Sequence, residues 1–219
     1  MDRDEANNRL LEARVIAVLR AGDVETARSL MHAYTSAGVR AIELTTTIRN
    51  WETLLRIAIN ERGVNTLIGL GTLTDPDDVT KAADIGADFV VSPYLSLGVI
   101  EAAEVEGLTV IPGALTPSEI AQAYDMGAEL VKVFPVSQVG GPNYIKALLA
   151  PMPGWKLVPT GGVTPDNAID FLRAGAVAVG IGSNLAPKDK VAERDWEGVA
   201  IAVRAFLDDL DRQLKESGS

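Results

Sequence analysis

Short runs of Val, Ile, Leu and Ala recur along the chain, and between them apolar residues return every three or four positions. The runs read as strands over Arg14–Arg20, Ala41–Thr47, Thr66–Thr72, Phe89–Pro93, Thr109–Ala114, Leu130–Pro135, Lys156–Gly161 and Ala176–Gly182. The stretches between read as amphipathic helices, including Val24–Ala37, Pro76–Ile85, Pro117–Met126 and Pro165–Ala174, with acids or proline in the first turn and glycine past the end. The residues before Arg14 read as a further helix, and Asp195–Lys215 as the last one.

A weak internal repeat follows the same rhythm. Ala37-Gly38-Val39, Ile85-Gly86-Ala87, Met126-Gly127-Ala128 and Ala174-Gly175-Ala176 each end a helix and lead into a strand. Thr116-Pro117-Ser118-Glu119 and Thr164-Pro165-Asp166-Asn167 repeat as helix starts, since Thr suits an N-cap and Pro the first helical position. Eight strand and helix units, spaced by roughly 20 to 30 residues, suit a (β/α)8 TIM barrel with an extra N-terminal helix over its floor. All of residues 1–219 then form a single barrel domain. An open doubly wound sheet is the alternative, but it calls for a glycine-rich loop after the first strand, where Arg20-Ala21-Gly22-Asp23 stands. In a barrel, reactive groups belong at the C-terminal ends of the strands.

Composition removes several chemistries. The absence of cysteine rules out a disulfide, a thiolate nucleophile and a thiolate metal site, and the single His32 supports no histidine cluster or Ser-His-Asp relay. The first twenty residues carry acids among the bases and lack the basic-then-apolar layout of a signal peptide, and no apolar run reaches the length of a membrane span, so a cytoplasmic location is expected. A formal charge of -10 disfavours nucleic-acid and anionic-membrane partners, so an anionic ligand must be held by local groups.

The strongest local anomaly is Lys132 in Leu130-Val131-Lys132-Val133-Phe134-Pro135. Strand alternation puts Leu130, Lys132 and Phe134 on one face and the two valines on the other. The valines suit the helix layer, so Lys132 points into the barrel, whereas the other lysines fall at exposed helical, loop or strand-start positions. Apolar surroundings disfavour a charged ammonium, and a neutral amine can attack a ketone to form a Schiff base. The same alternation turns Glu43, Thr45 and Thr47 inward while Ile42 and Leu44 face the helices. A carboxylate enclosed with such a lysine can shuttle protons, although a plain structural ion pair would use the same two residues.

Arg20 closes the first strand and Arg49 follows the second; either guanidinium can grip a carboxylate through two bonds, Arg20 being the better pinned. Thr160-Gly161-Gly162-Val163 and Gly180-Ile181-Gly182-Ser183-Asn184 place glycine loops after the last two strands, where backbone N–H groups can surround a phosphate. Thr72, Pro93 and Pro112-Gly113 close other strands and carry less information singly.

Together Ile42-Glu43-Leu44-Thr45, Gly69-Leu70-Gly71-Thr72, Val91-Ser92-Pro93, Ile111-Pro112-Gly113, Val131-Lys132-Val133-Phe134-Pro135, Pro159-Thr160-Gly161-Gly162-Val163 and Gly180-Ile181-Gly182-Ser183 resemble the 2-keto-3-deoxy-6-phosphogluconate (KDPG) and 4-hydroxy-2-oxoglutarate (KHG) aldolases. The resemblance covers nearly the whole chain, in the family's order. It implies Lys132 as Schiff-base nucleophile, Glu43 as general acid/base, and Thr72 and Pro93 at the pyruvate end, with Phe134 beside the imine. It further implies phosphate contacts from Gly161, Gly162, Gly182 and Ser183, with Thr160 among the substrate contacts, no metal or organic cofactor, and a homotrimer.

Two positions depart from that pattern. Many members carry an arginine four residues beyond the strand-two glutamate, where Thr47 stands here, and Arg20 is the expected substitute for gripping the substrate carboxylate. Tyr94 follows Ser92-Pro93 where a small residue is common. The expected activity is class I cleavage of 2-dehydro-3-deoxy-6-phosphogluconate to pyruvate and glyceraldehyde 3-phosphate. The 6-phosphogalactonate epimer and 4-hydroxy-2-oxoglutarate are alternatives on the same machinery. A non-catalytic phosphosugar-binding barrel, and a phosphate-binding isomerase or synthase barrel, are the remaining readings.

Overall fold

The computed structural model describes residues 1–217, an α/β arrangement with a curled parallel sheet inside a layer of helices. The chain runs α1 (Arg3–Ala13), β1 (Val15–Leu19), α2 (Val24–Ala37), β2 (Ala41–Thr45), α3 (Trp51–Glu61), β3 (Leu67–Gly71), α4 (Pro76–Ile85) and β4 (Phe89–Val91). It continues through α5 (Leu97–Val105), β5 (Thr109–Ile111), β6 (Gly113–Ala114), α6 (Pro117–Asp125), β7 (Val131–Val133), a 3-10 turn (Val136–Val139), α7 (Pro142–Leu149) and β8 (Leu157–Pro159). It closes with α8 (Ala168–Arg173), β9 (Val179–Ile181), α9 (Lys188–Ala192) and α10 (Trp196–Ser217).

The helix boundaries follow local chemistry. Asp23 caps α2 by accepting the Thr26 N–H at 2.8 Å, and Gly38 ends that helix at φ 100°, in the left-handed region that costs glycine little. Proline opens α4 and α6 behind Asp75 and Thr116 caps, and Thr116 with Glu119 forms a reciprocal capping box. The matching Thr164-Pro165 does not start a helix. There the Asn167 Oδ1 accepts the Thr164 N–H at 2.8 Å and the Thr164 carbonyl accepts the Ala168 N–H at 3.0 Å, a turn that leads into α8 at Ala168. The short α9 was not anticipated, and α10 begins one residue later than expected.

Strand pairing runs β5-β4-β3-β2-β1-β9 in one ladder and β6-β7-β8 in another, all parallel. Pro112, with no N–H to donate, divides the predicted fifth strand into β5 and β6, and Thr160 bridges Gly180 between β8 and β9. The strands are also shorter than predicted, because their ends leave the ladder: Arg20, Thr46 with Thr47, Thr72 and Pro93 all lie in the connections that follow.

Alternation sorts the core into two layers. Ile42, Leu44, Val131 and Val133 pack toward the helices, as expected. Ile16, Ala41, Leu67, Phe89, Ile111, Leu130, Val158 and Ala178 cluster on the inner side together with Leu10 of α1. In β1, β2, β3, β7, β8 and β9 the cluster takes positions no later than the middle of the strand, and in β4 and β5 it reaches the last residues, Val91 and Ile111, while the later inward positions of β2 and β7 include Glu43 and Lys132. Among the described residues, no helix is long and apolar enough to cross a membrane.

Candidate active site

Lys132 occupies the inner face of β7 and is the one buried lysine among the described residues, at 5% exposure. Its backbone N–H bonds the Pro112 carbonyl at 2.9 Å and it sits in register with Gly113, so the strand, not the side chain, fixes its height. The Lys132 Nζ lies 3.7 Å from the Glu43 Oε1 and 5.3 Å from the centroid of the Phe134 ring. The first distance is too long for a hydrogen bond yet close enough for strong attraction in an enclosed site. Glu43 is 2% exposed, and its Oε1 is buried without any hydrogen-bond donor among the described residues. An acceptor left free beside an amine is ready to take a proton.

The surrounding turns are tied together. Thr45 is fully buried; its hydroxyl reaches the Leu19 carbonyl at 3.4 Å and shares a 2.8 Å hydrogen bond with the Thr47 hydroxyl, which stands exposed on the rim. The Thr46 hydroxyl donates to the Thr72 carbonyl at 3.0 Å, and Thr72 takes φ 62°, a conformation uncommon for a residue with a branched Cβ. Pro93 is half-buried in the turn after β4; a Cβ on Gly113 would fall 2.4 Å from its carbonyl carbon, so only glycine lets β6 approach the Pro93 backbone this closely.

Phe134 is also one wall of a cavity of about 200 Å³ lined by Arg20, Thr160, Gly161, Gly162, Gly182 and Ser183. Gly161 and Gly162 stand at φ 88° and 86°, a pair of left-handed residues that turns the backbone after β8 around the cavity. Asn167 holds the turn by donating to the Gly162 carbonyl at 3.1 Å. Val18, Val163 and Asn184 also line this cavity, and sequence reading did not select them. Asn184 follows Gly182-Ser183 directly and was legible as a loop polar group; the valines read only as core. A neighbouring cavity of about 150 Å³ shares Arg20 and Ser183 and is walled by Leu30, Tyr34, Ala186 and Val191. Burial pushes the Tyr34 phenol up to about 12, so it stays neutral there.

Of the residues selected from sequence, Lys132, Glu43 and Phe134 meet, and Arg20, Thr160 and the glycine loops meet. Phe134 belongs to both groups. Thr72 and Pro93 close the adjoining strand ends next to Gly71 and Gly113, whereas Arg49 is exposed and lines neither cavity. Among the described residues no group of three or more His, Asp or Glu side chains is arranged to hold a metal.

Comparison of the whole chain with known proteins places it in a family. The family described as KDPG and KHG aldolase matches residues 6–202. The chain belongs to that family. The 2-dehydro-3-deoxy-6-phosphogalactonate aldolase of Escherichia coli K12 is 35% identical over 193 residues, covering 88% of this chain and 94% of that protein. The 2-dehydro-3-deoxy-phosphogluconate aldolase of Pseudoalteromonas atlantica is 32% identical over 185 residues, covering 84% and 86%. A crystal structure of the KDPG aldolase from Legionella pneumophila, with pyruvate captured as a covalent carbinolamine intermediate, superposes with a TM-score of 0.83 at 27% identity, covering 92% of this chain and 97% of that one.

Proposed function

We propose that this protein is a class I aldolase whose Lys132 and Glu43 cleave 2-dehydro-3-deoxy-6-phosphogluconate to pyruvate and glyceraldehyde 3-phosphate. The observation that carries the reading is the buried Lys132 Nζ at 3.7 Å from an otherwise unbonded Glu43 oxygen, beside the glycine-lined cavity. The Legionella relative, trapped as a pyruvate carbinolamine, supports the Schiff-base route. A (β/α)8 barrel, in which β5 and β6 count as one strand and α1 covers the floor, is part of the proposal, as are a homotrimer and a cytoplasmic location.

In the cleavage direction the Lys132 amine adds to the C2 ketone to give a carbinolamine. Glu43 relays protons as water leaves and the iminium forms. Glu43 then takes the proton of the C4 hydroxyl while the C3–C4 bond breaks and its electron pair moves into the iminium. The products of that step are an enamine on Lys132 and the aldehyde. Return of the proton to C3 and addition of water release pyruvate and free the amine. Phe134 keeps an apolar ring against the amine, and the glycine loops with Ser183 take the phosphate.

Arg20 was expected to grip the substrate carboxylate. Its place in the cavity with Gly161, Gly162 and Gly182 supports the phosphate end instead. The galactonate epimer remains the second substrate reading, favoured by the 35% identity to the Escherichia coli enzyme. Relative kcat/KM on the two epimers and on 4-hydroxy-2-oxoglutarate separates them.

Borohydride trapping with pyruvate, followed by intact mass and peptide mapping, tests the mechanism. One reduced adduct on the Lys132 peptide, absent from Lys132→Ala, is expected. No adduct on the parent protein would sink the Schiff-base claim and favour a phosphosugar-binding barrel without aldolase chemistry.

A further inference from the structure

Gly71 closes β3, paired with Thr45 of β2 and directly before Thr72. A Cβ built there would lie 2.0 Å from the Glu43 Oε1, 2.4 Å from its Cδ and 2.5 Å from its Cγ. Such separations are far inside van der Waals contact, which lies near 3.5–4.0 Å. Gly71 is not among the glycines at positive φ, so its backbone conformation is open to any residue. It ends no helix and makes no turn. The space where its side chain would be is filled by the Glu43 carboxylate.

The backbone around Gly71 is held from several sides. The Thr46 N–H donates to the Gly71 carbonyl at 3.0 Å, the Thr46 hydroxyl to the Thr72 carbonyl at 3.0 Å, and the Leu73 N–H to the Val91 carbonyl at 3.1 Å. The carboxylate is held much less. Its Oε1 accepts no hydrogen bond among the described residues, and the Lys132 Nζ is 3.7 Å away. A methyl group added at Gly71 therefore displaces the carboxylate, the far end of a flexible side chain, before it displaces the strand.

We propose that Gly71 is a positioning residue: its bare backbone is the wall that sets the Glu43 carboxylate at its working distance from Lys132. This rests on the aldolase reading, in which Glu43 moves protons at the Lys132 adduct. Displacement by about 1 Å is enough to cost on the order of 100-fold in rate.

Gly69 provides a matched control, being two residues earlier on the same face of β3. Its added Cβ would lie 2.4 Å from the Phe89 ring and has no Glu43 atom among its nearest neighbours. The experiment compares Gly71→Ala and Gly69→Ala for exchange of the pyruvate methyl protons with solvent deuterium, across pH, and for thermal unfolding. Gly71→Ala is expected to slow exchange by about 100-fold, to change the pH profile, and to leave the pyruvate KM within a few-fold. Gly69→Ala is expected to lose stability and keep the parent pH profile. Glu43→Asp, which withdraws the carboxylate by one methylene, should cost less in the Gly71→Ala background than in the parent. Parent-like exchange and pH profile in folded Gly71→Ala would overturn the proposal.

The packing claim has its own readout. Gly71→Ala should lower the unfolding midpoint in the parent but not in the Glu43→Ala background, and an equal loss in both would overturn it. If Gly71→Ala alone fails to fold, recovery of cooperative unfolding on adding Glu43→Ala supports the claim and failure to recover defeats it. Absence of both exchange and adduct in the parent protein would strike the aldolase reading, while this unfolding comparison would still judge the contact.

Discussion

The two residues at the centre of the site oppose their own burial. Lys132 and Glu43 are 5% and 2% exposed, and 3.7 Å apart they attract without the hydrogen bond that would offset more of their desolvation. Removing one partner leaves the other buried alone. Glu43→Gln is therefore expected to lower stability by up to about 3 kcal/mol, and Glu43→Gln with Lys132→Met to regain most of that loss, as read from urea midpoints at pH 7. A double variant no more stable than the single one would mean that the pair is not energetically coupled. Both side chains were legible in the sequence because each interrupts an apolar strand, where alternation leaves one direction to point. Arg20 was legible as a strand-end guanidinium, but the cavity it lines was not, since its neighbours there come from the loops after β8 and β9. Arg20→Ala should accordingly raise the KM for glyceraldehyde 3-phosphate by about tenfold or more, and that for pyruvate far less, in steady-state condensation assays. The reverse ordering would return Arg20 to the carboxylate.

Helix starts show how far local chemistry reaches. The Thr116 and Glu119 capping box was readable because both partners lie within one turn and need nothing distant. Glu119 accepts the N–H groups of Thr116 and Leu115, which holds its carboxyl below the usual carboxylate range. A carboxylate held low in the folded state stabilises above its unfolded pKa near 4.5, and that contribution fades as pH falls through the lower folded value. Glu119→Gln should therefore lower the thermal midpoint at pH 7 and make little difference near pH 2, while Thr116→Ala should cost about 1 kcal/mol at pH 7. An equal Glu119→Gln effect at both pH values would remove the charge from the explanation. The sister motif at Thr164 looked the same in sequence and behaved otherwise. Asn167, absent from the Thr116 motif, bonds back to Thr164 and Gly162 and turns the segment into a brace for the cavity.

At the scale of the molecule, the rhythm of strands and helices was visible, whereas the pairing that joins β8 to β9 was not, because it rests on the Thr160 and Gly180 bridge and not on any apolar run. The curled sheet separates two tasks along its axis. Early residues of most strands meet Leu10 of α1 in an apolar cluster, and α1 is tied down where Arg3 reaches the Gly127 carbonyl and Thr109 bonds the Arg3 carbonyl. The later residues carry Glu43, Lys132 and the glycine loops. A side chain deleted from the first end should therefore change stability and leave chemistry alone. Leu10 is 1% exposed, so Leu10→Ala is expected to cost about 2–5 kcal/mol, seen as a lower denaturant midpoint. At a temperature where both proteins remain folded, kcat and the rate of the pyruvate adduct should match the parent within about twofold, because Leu10 packs with the strand positions that precede Glu43 and Lys132 and not with those side chains. Loss of kcat in folded Leu10→Ala would show instead that the floor sets the height of the strands, and with it the distance between Lys132 and Glu43.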